Sequence, residues 1–470
     1  MINKNDELIG TVISFGSNGE GIIKHDGFVV FLPLSIPLEK VKYKVLKVTS
    51  KCAYGKVISV LEKSADRVEP KCPVFSKCGG CQLQHLAYEK QLSLKKQTVE
   101  DCFNKIAFLP VNVQFPVHSN KNFGYRNKLQ LPVGQGNNGA EIGFYAENSH
   151  RVIPIDDCPI NPEWTKTVIA CFKKYIKEFN LSGYNEQNFS GDIREITVKE
   201  IGKNLIITLV VTDFKIKGID RLIEILKENL GCEFSLFLNE NKSRSNVIYG
   251  EKFCLKYGKG EYFSELFGIK YPVGVRSFTQ INNEVCALLY DRVKKELNLN
   301  ENTVVIDAYS GAGLMTAILA KEAKKAIGIE IIKEATLCAD KLAKENNLEH
   351  KITNYCAPCE DVLPSIVEEE KSKGQTLAIV LDPPRKGCDV KVLQAVKNSG
   401  ADRIVYVSCL PSSLARDVGI LTGTLKEENG KLIKSPNPDG EYEVTLVQPF
   451  DMFPQTKHVE TLVCLCKKAN

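Results

Sequence analysis

The sequence predicts an α/β chain: a doubly wound parallel sheet toward the C-terminus, preceded by a small β-barrel and a mixed α+β region. Three observations carry this expectation. From Gln280 onward, apolar strand-like runs alternate with helix-like stretches, the pattern of parallel strands joined by crossover helices. Short strands separated by glycine turns crowd residues 8–61. A chain of 470 residues exceeds one hydrophobic core, so two to three domains are expected.

In order, the first strands read as 8–15, 21–25, 28–32, 41–49 and 54–61. Five strands in so short a stretch match an OB-like barrel, a fold that binds oligonucleotides. Residues 65 to about 275 mix an amphipathic helix near 86–103 with strands such as 205–211, and Gly134-Gln135-Gly136-Asn137-Asn138-Gly139 reads as a hairpin tip. Then come helix 283–297, strand 304–307, helix 314–323, strand 325–329 and helix 333–346. The sequence contains no internal repeat or low-complexity tract.

Composition is that of an ordinary globular protein, 43% apolar and 25% charged. The polar start Met1-Ile2-Asn3-Lys4-Asn5-Asp6-Glu7 and the lack of an 18-residue apolar run predict a cytoplasmic chain without a membrane partner. Its 17 cysteines are then reduced thiols, metal ligands or catalytic groups rather than a disulfide framework. Residues 1–128 hold 19 Lys and Arg against 11 Asp and Glu, so the basic excess of a chain with net charge +5 lies in its N-terminal quarter. Such an excess suits a polyanion as well as a merely soluble surface.

Cys409 follows the apolar run Ile404-Val405-Tyr406-Val407, which would lift its sulfur out at the carboxyl edge of a sheet, where open α/β folds place ligands. Core packing is the ordinary fate of a free cysteine. Two other islands change the reading: Leu381-Asp382-Pro383-Pro384-Arg385 upstream, and a segment from Met452 to His458-Val459-Glu460 downstream. Together they suggest a thiol nucleophile, active as the thiolate, with a carboxylate base. Asp307-Ala308-Tyr309-Ser310-Gly311-Ala312-Gly313 lies between a strand and a helix, where glycines allow a cofactor close approach. Glu330, about 20 residues on, can accept both ribose hydroxyls. A nicotinamide enzyme is the rival reading, but Thr316 stands where its third glycine would be.

Cys72-Pro73-Val74-Phe75-Ser76-Lys77-Cys78-Gly79-Gly80-Cys81 brings three thiols together, and Asp157-Cys158-Pro159 offers a fourth. The spacing differs from the paired C-x2-C of zinc fingers; four thiolates suit a four-iron cluster, with structural zinc the rival. Cys356-Ala357-Pro358-Cys359 resembles a redox pair but lacks cationic neighbours, and Cys464 and Cys466 read as core. Phe123 with Tyr125-Arg126-Asn127-Lys128 reads as a basic, aromatic patch for stacking and phosphate contact, or as a solvated hairpin.

Six islands in order, Phe278-Thr279-Gln280-Ile281-Asn282, residues 307–313, Gly328-Ile329-Glu330, Asp382-Pro383-Pro384-Arg385-Lys386-Gly387, Ser408-Cys409 and His458-Val459-Glu460, resemble the RNA uracil-C5 methyltransferases that use S-adenosylmethionine. The resemblance implies a Rossmann-like methyltransferase domain over 276–470, with Cys409 as nucleophile and Glu460 as proton acceptor, His458 being the alternative base. It implies that Gln280, Tyr309, Glu330 and Asp382 contact S-adenosylmethionine. Cluster-bearing members follow C-x5-C-G-G-C with Q-x-Q-H, here Gln82-Leu83-Gln84-His85, which implies a 4Fe-4S cluster on Cys72, Cys78, Cys81 and Cys158 in a central domain over 63–275. Gly19-Glu20-Gly21-Ile22 and Asp26-Gly27-Phe28-Val29-Val30 resemble the RNA-binding TRAM domain, placed at 1–62. Barrel and cluster together favour 23S ribosomal RNA as substrate over transfer RNA, and no obligate protein partner is implied. Leu410 departs from the family's usual asparagine beside the nucleophile.

Overall fold

Val41, Tyr43 and Val45 alternate with lysines along the strand Lys40–Val48, so one face of it turns inward. In the computed structural model, which describes residues 2–468 apart from Asp26, Asn429, Gly430, Asn437 and Asp439, this strand belongs to an N-terminal sheet. The order is Glu7–Thr11, Lys40–Val48, Cys52–Glu62, Phe28–Leu32, Gly21–His25 and Ser14–Phe15. The two outermost strands are halves of one expected strand, broken at Val12, whose N–H donates to Glu39 O (2.8 Å). They sit at opposite ends of the sheet, and the sheet therefore curls round on itself. The expected five strands are present; Asp26 of the second barrel motif and Met1 lie outside the described residues. Buried Glu39 receives a forked pair from Arg67 (Nε to Oε1 2.5 Å, Nη2 to Oε2 2.9 Å), which ties this sheet to the segment after it.

The middle of the chain builds a seven-stranded mixed sheet from Lys128–Gly136, Gly139–Tyr145, Val152–Pro154, Ile193–Ile201, Asn204–Val211, Phe234–Glu240 and Lys252–Tyr257. Helices Trp164–Phe179 and Ile219–Asn229 bury their apolar faces against it. The hairpin tip falls at 137–138, as the glycines suggested. Helix α1 (Tyr88–Cys102), continued by a π turn over Phe103–Ala107, packs elsewhere. Its Val99, with Phe103 and Ala107, joins the core of the C-terminal sheet beside Leu414, Val418 and Tyr442. The middle of the chain is thus interlocked with the C-terminal part, which the sequence pattern alone did not convey.

The C-terminal sheet has the order Ile352–Cys356, Lys325–Glu330, Thr303–Asp307, Thr376–Leu381, Arg403–Ser408, Glu460–Lys467, Tyr442–Phe450. The first five strands run parallel and the last two antiparallel. Strands such as Thr303–Asp307 are buried along their whole length, as both faces of a doubly wound sheet require. The polar break at the switch between neighbouring strands Thr303–Asp307 and Thr376–Leu381 opens at the carboxyl edge. No helix among the described residues is long and apolar enough to cross a membrane.

One buried ion pair joins α1 to this sheet. Lys95 and Asp451 are 1% and 0% exposed, and Tyr88 Oη also donates to Asp451 (2.7 Å). Breaking such a pair strands a charge away from water. Lys95→Met is therefore expected to cost about 3–5 kcal/mol, read as a lowered midpoint in denaturant unfolding.

Candidate active site

Strand register does the placing. Arg403–Ser408 runs antiparallel to Glu460–Lys467 with Ser408 opposite Thr461, so the next two residues, Cys409 and Glu460, face one another at the carboxyl edge. Beyond Cys409 the chain turns at once: Leu410 N donates to Ser408 Oγ (3.2 Å), and Pro411 opens the helix Pro411–Leu421, a position where proline loses no hydrogen bond. The Asp-Pro-Pro turn is pinned to the same strand through Asp417, which accepts from Tyr406 Oη (2.5 Å) and Cys388 N (2.8 Å). Gly387 has φ +81°, and a Cβ there would lie 2.4 Å from Asp417 Oδ2. Only glycine lets this turn close on the nucleophile strand.

The charges around the pair oppose one another. Glu460 is 5% exposed, and burial with the nearby Asp382 holds its carboxyl well above the usual range while Arg385 draws it down. Burial and Glu460 push the Cys409 thiol up, and a hydrogen bond from Arg385 works against them. Burial, with Arg385 and Lys457 nearby, lowers His458 to about 4, so its imidazole is neutral and a weak base at neutral pH. Asp382 opens onto the cleft yet is ringed by protein; this desolvation, with Asp307 behind it, raises its carboxyl to about 7. Among the described residues Arg385 is thus the cation that acts on the Cys409 thiol, the Glu460 carboxyl and the His458 imidazole alike. Sequence reasoning assigned it no role, although the Asp-Pro-Pro-Arg motif displayed it. A thiol nucleophile reacts as its anion, so with Cys409 in that proposed role a pKa above the ordinary value makes the rate climb with pH into the alkaline range. Arg385→Gln removes the downward pull and is expected to move that limb of the pH–rate profile to higher pH.

The glycine loop lies one strand pair away. Gly311 and Gly313 take φ +53° and +82°, and a Cβ on Gly313 would meet that of Ala339 at 2.7 Å. Glu330 ends its strand with both carboxylate oxygens oriented by backbone: Gly311 N donates to Oε2 (3.0 Å) and Ile332 N to Oε1 (2.8 Å). Thr316, the residue that replaces a third glycine, donates its hydroxyl to buried Asp307 (2.7 Å), a use glycine could not serve. Tyr309 is half-buried beside Cys388, which accepts its hydroxyl hydrogen bond. Gln280 stands before the helix Asn283–Leu297, its carbonyl accepting from Asn127 Nδ2 (2.9 Å). The described structure therefore sets Gln280, Tyr309, Glu330 and Asp382 along the strand ends and helix starts at one edge of the sheet, with Cys409 and Glu460 further along that edge.

A family described as tRNA (Uracil-5-)-methyltransferase matches residues 267–468. An uncharacterised RNA methyltransferase of Halalkalibacterium halodurans is 37% identical over 468 residues, 99% of this chain and 98% of that protein. A second, from Clostridium acetobutylicum, is 37% identical over 470 residues at the same coverage. The chain belongs to the RNA uracil-C5 methyltransferase family. The crystal structure of Pyrococcus abyssi tRNA (uracil-54, C5)-methyltransferase in complex with S-adenosyl-L-homocysteine shares the fold, with a TM-score of 0.73 and 23% identity over 97% of this chain and 100% of that one.

In this RNA methyltransferase Cys72, Cys78, Cys81 and Cys158 are near enough for their charges to interact. Burial first, then the neighbouring sulfurs, raises Cys81 to about 11 and Cys158 to about 12. Backbone N–H groups nevertheless point at them: Gly80 N donates to Cys78 Sγ (3.3 Å), and the Val74 and Ile160 amides to Cys72 and Cys158. Among the described residues no group of three or more His, Cys, Asp or Glu stands in metal-holding geometry. Soft, mutually close thiols with amide donors suit a thiolate-bound centre in their chemistry.

The patch expected at 123–128 is corrected by the structure. Tyr125 and Asn127 are 6% and 4% exposed, and Tyr125 Oη donates to Pro454 O (2.9 Å). These two side chains turn inward and drop out of the patch, whereas Phe123, with Lys71 Nζ over its ring at 4.4 Å, and Arg126 stay part-exposed. Cys464 is buried as expected, whereas Cys466 is only half so. Leu410 leaves an apolar side chain 40% exposed beside Cys409.

Proposed function

We propose that the enzyme transfers the methyl group of S-adenosylmethionine to carbon 5 of a uridine in 23S ribosomal RNA. The observation that carries this reading is the register that sets Cys409 against Glu460 at the open edge, beside Asp382 and Arg385. Carbon 5 of uracil is too weak a nucleophile to take a methyl group directly. The Cys409 thiolate adds to carbon 6, the ring electrons move to give an enolate, and carbon 5 attacks the methyl of the sulfonium, releasing S-adenosylhomocysteine. Glu460 then takes the proton from carbon 5, and the electrons of that C–H bond re-form the ring double bond as the sulfur departs. A carboxylate with a raised pKa is the better base, and it outranks His458, whose pKa is depressed. Gln280, Tyr309, Glu330 and Asp382 hold the cofactor, Glu330 by accepting the ribose hydroxyls.

The four cysteines would hold a 4Fe-4S cluster, which supplies a rigid cross-link rather than electrons, since no step of the transfer changes oxidation state. Anaerobic reconstitution is expected to give broad charge-transfer absorption in the visible; one bound zinc and no colour would replace the cluster with a zinc site. The N-terminal barrel, residues 1–62, supplies an RNA-binding surface, and the basic surplus of residues 1–128 continues beyond it.

The barrel together with the cysteines favours ribosomal RNA. Transfer RNA is the second reading, favoured by the fold shared with the archaeal tRNA enzyme along nearly the whole chain. Mapping 5-methyluridine in a deletion strain decides between them. Loss from 23S RNA is the expected result, and loss from transfer RNA alone overturns the ribosomal assignment.

A further inference from the structure

Glu460 opens the strand Glu460–Lys467, and the loop that leads into it, residues 451–459, has no secondary structure of its own beyond turns and bends, yet its main chain is held at many points. The grip comes from one face of α1. Tyr88, Gln91 and Lys95 fall three and four residues apart, so all three point the same way. Tyr88 and Lys95 hold Asp451, and Lys95 Nζ also donates to Phe453 O (2.9 Å). Gln91 does most. Its Oε1 accepts from Gln455 N (3.1 Å) and its Nε2 donates to Gln455 Oε1 (3.0 Å), a two-way amide clamp between residues 1% and 2% exposed. The same Nε2 lies within hydrogen-bond distance of Leu83 O and Leu86 O. Gln455 itself is held at φ +70°, a left-handed conformation unusual for a side chain of this kind. A strained residue persists only where its surroundings over-determine it, and here the surroundings are Gln91 together with Gln82 N and Leu83 N, which donate to Gln455 O (3.2 and 3.0 Å).

The cofactor segment is gripped separately, by Asn127 at the start of the central sheet. Asn127 Nδ2 donates to Gln280 O (2.9 Å) and Asn283 Oδ1 (2.7 Å), and its N–H donates to Ile281 O (3.0 Å). The Asn127 carbonyl in turn accepts from Glu200 N (2.8 Å). Both side chains are buried, Gln91 at 1% and Asn127 at 4% exposed.

We propose that Gln91 and Asn127 are positioning residues with separate duties, Gln91 setting the loop that aims Glu460 and Asn127 setting the segment that presents Gln280. The inference rests on the reading of Glu460 as base and Gln280 as cofactor contact. It assigns a step to each grip: Gln91 to proton removal and sulfur departure, Asn127 to cofactor affinity.

The test uses the full-length enzyme in single turnover on ribosomal RNA from the deletion strain, following adduct formation and release, with calorimetric binding of S-adenosylhomocysteine alongside. Gln91→Met is expected to slow adduct release at least about tenfold, since misplacing a catalytic group by around 1 Å costs up to about a hundredfold, with formation and cofactor affinity within about twofold. Asn127→Asp, which loses both side-chain donations, is expected to weaken S-adenosylhomocysteine about tenfold while leaving release at saturating cofactor unchanged. Gln91→Glu keeps the acceptor for Gln455 N–H and carries the same expectation should the methionine variant not fold. Parallel losses in both readouts for either variant, or no change in either, overturn the proposal, because a general structural role moves them together. Glu460→Gln is run beside them: if it fails to trap the adduct, the assignment of the base is what has failed; if it traps and Gln91→Met does not slow release, the positioning role is.

Discussion

Methyl transfer by Cys409→Ala falls by more than about 10⁴-fold, and no RNA adduct survives denaturing electrophoresis. The size follows from the chemistry: without addition at carbon 6 the ring has no enolate to offer, and neither cofactor grip nor base can substitute. The alanine variant keeps the rest of the machinery. Cys409 is half-buried at a strand end, so losing one sulfur there costs at most about 1 kcal/mol, and S-adenosylhomocysteine binding stays within about twofold. Serine is no rescue, because a hydroxyl ionises far less readily than a thiol and lacks the polarizability of sulfur. Retained turnover in the alanine variant, measured by tritium release from carbon 5 of labelled RNA, would sink the covalent route.

The parts of this enzyme legible in its sequence are those that local physics writes. Thr303–Asp307 and Lys325–Glu330 are buried runs, their ends marked by an acid and glycines, and helix Asn283–Leu297 is announced by the Asn282 cap, whose side chain accepts from Val285 N. Cys409, Glu460 and the four positions proposed for the cofactor stood out because each sits in a short segment where chain turn and chemistry coincide. What stayed hidden depends on distant partners. Nothing local separates Gln91 from the other polar residues of α1, since its partner Gln455 lies 364 positions away. Tyr125 and Asn127 looked like surface because an aromatic and an amide between basic residues resemble an RNA face; only the approach of Pro454 and Gln280 turns them inward. The break at Val12 was equally invisible: no glycine or proline marks it, and it falls where Val12 N donates to Glu39 O and the chain passes from one end of the N-terminal sheet to the other.

Glu460→Gln is expected to trap the methylated adduct in a single turnover, release slowing by about 10²–10⁴-fold, the usual worth of a positioned base. Glutamine matches glutamate in shape, so the fold is kept, and a neutral amide in place of a buried carboxyl removes a desolvation cost rather than adding one. The substitution should also act in the opposite direction on the first step. The Glu460 charge is among the groups that hold the Cys409 pKa up, and glutamine relieves that push. A larger fraction of the thiol is then ionised at neutral pH, and adduct formation shifts to lower pH. Formation helped while release stalls is a signature that simple damage to the site cannot produce. His458 does not supply the missing base, since an imidazole with a pKa near 4 holds a proton too weakly to take one from carbon 5 at a useful rate. Mass spectrometry of the denatured complex should find the methylated nucleotide attached at Cys409. A variant that turns over normally, or that never forms the adduct at all, would place the proton acceptor on another residue.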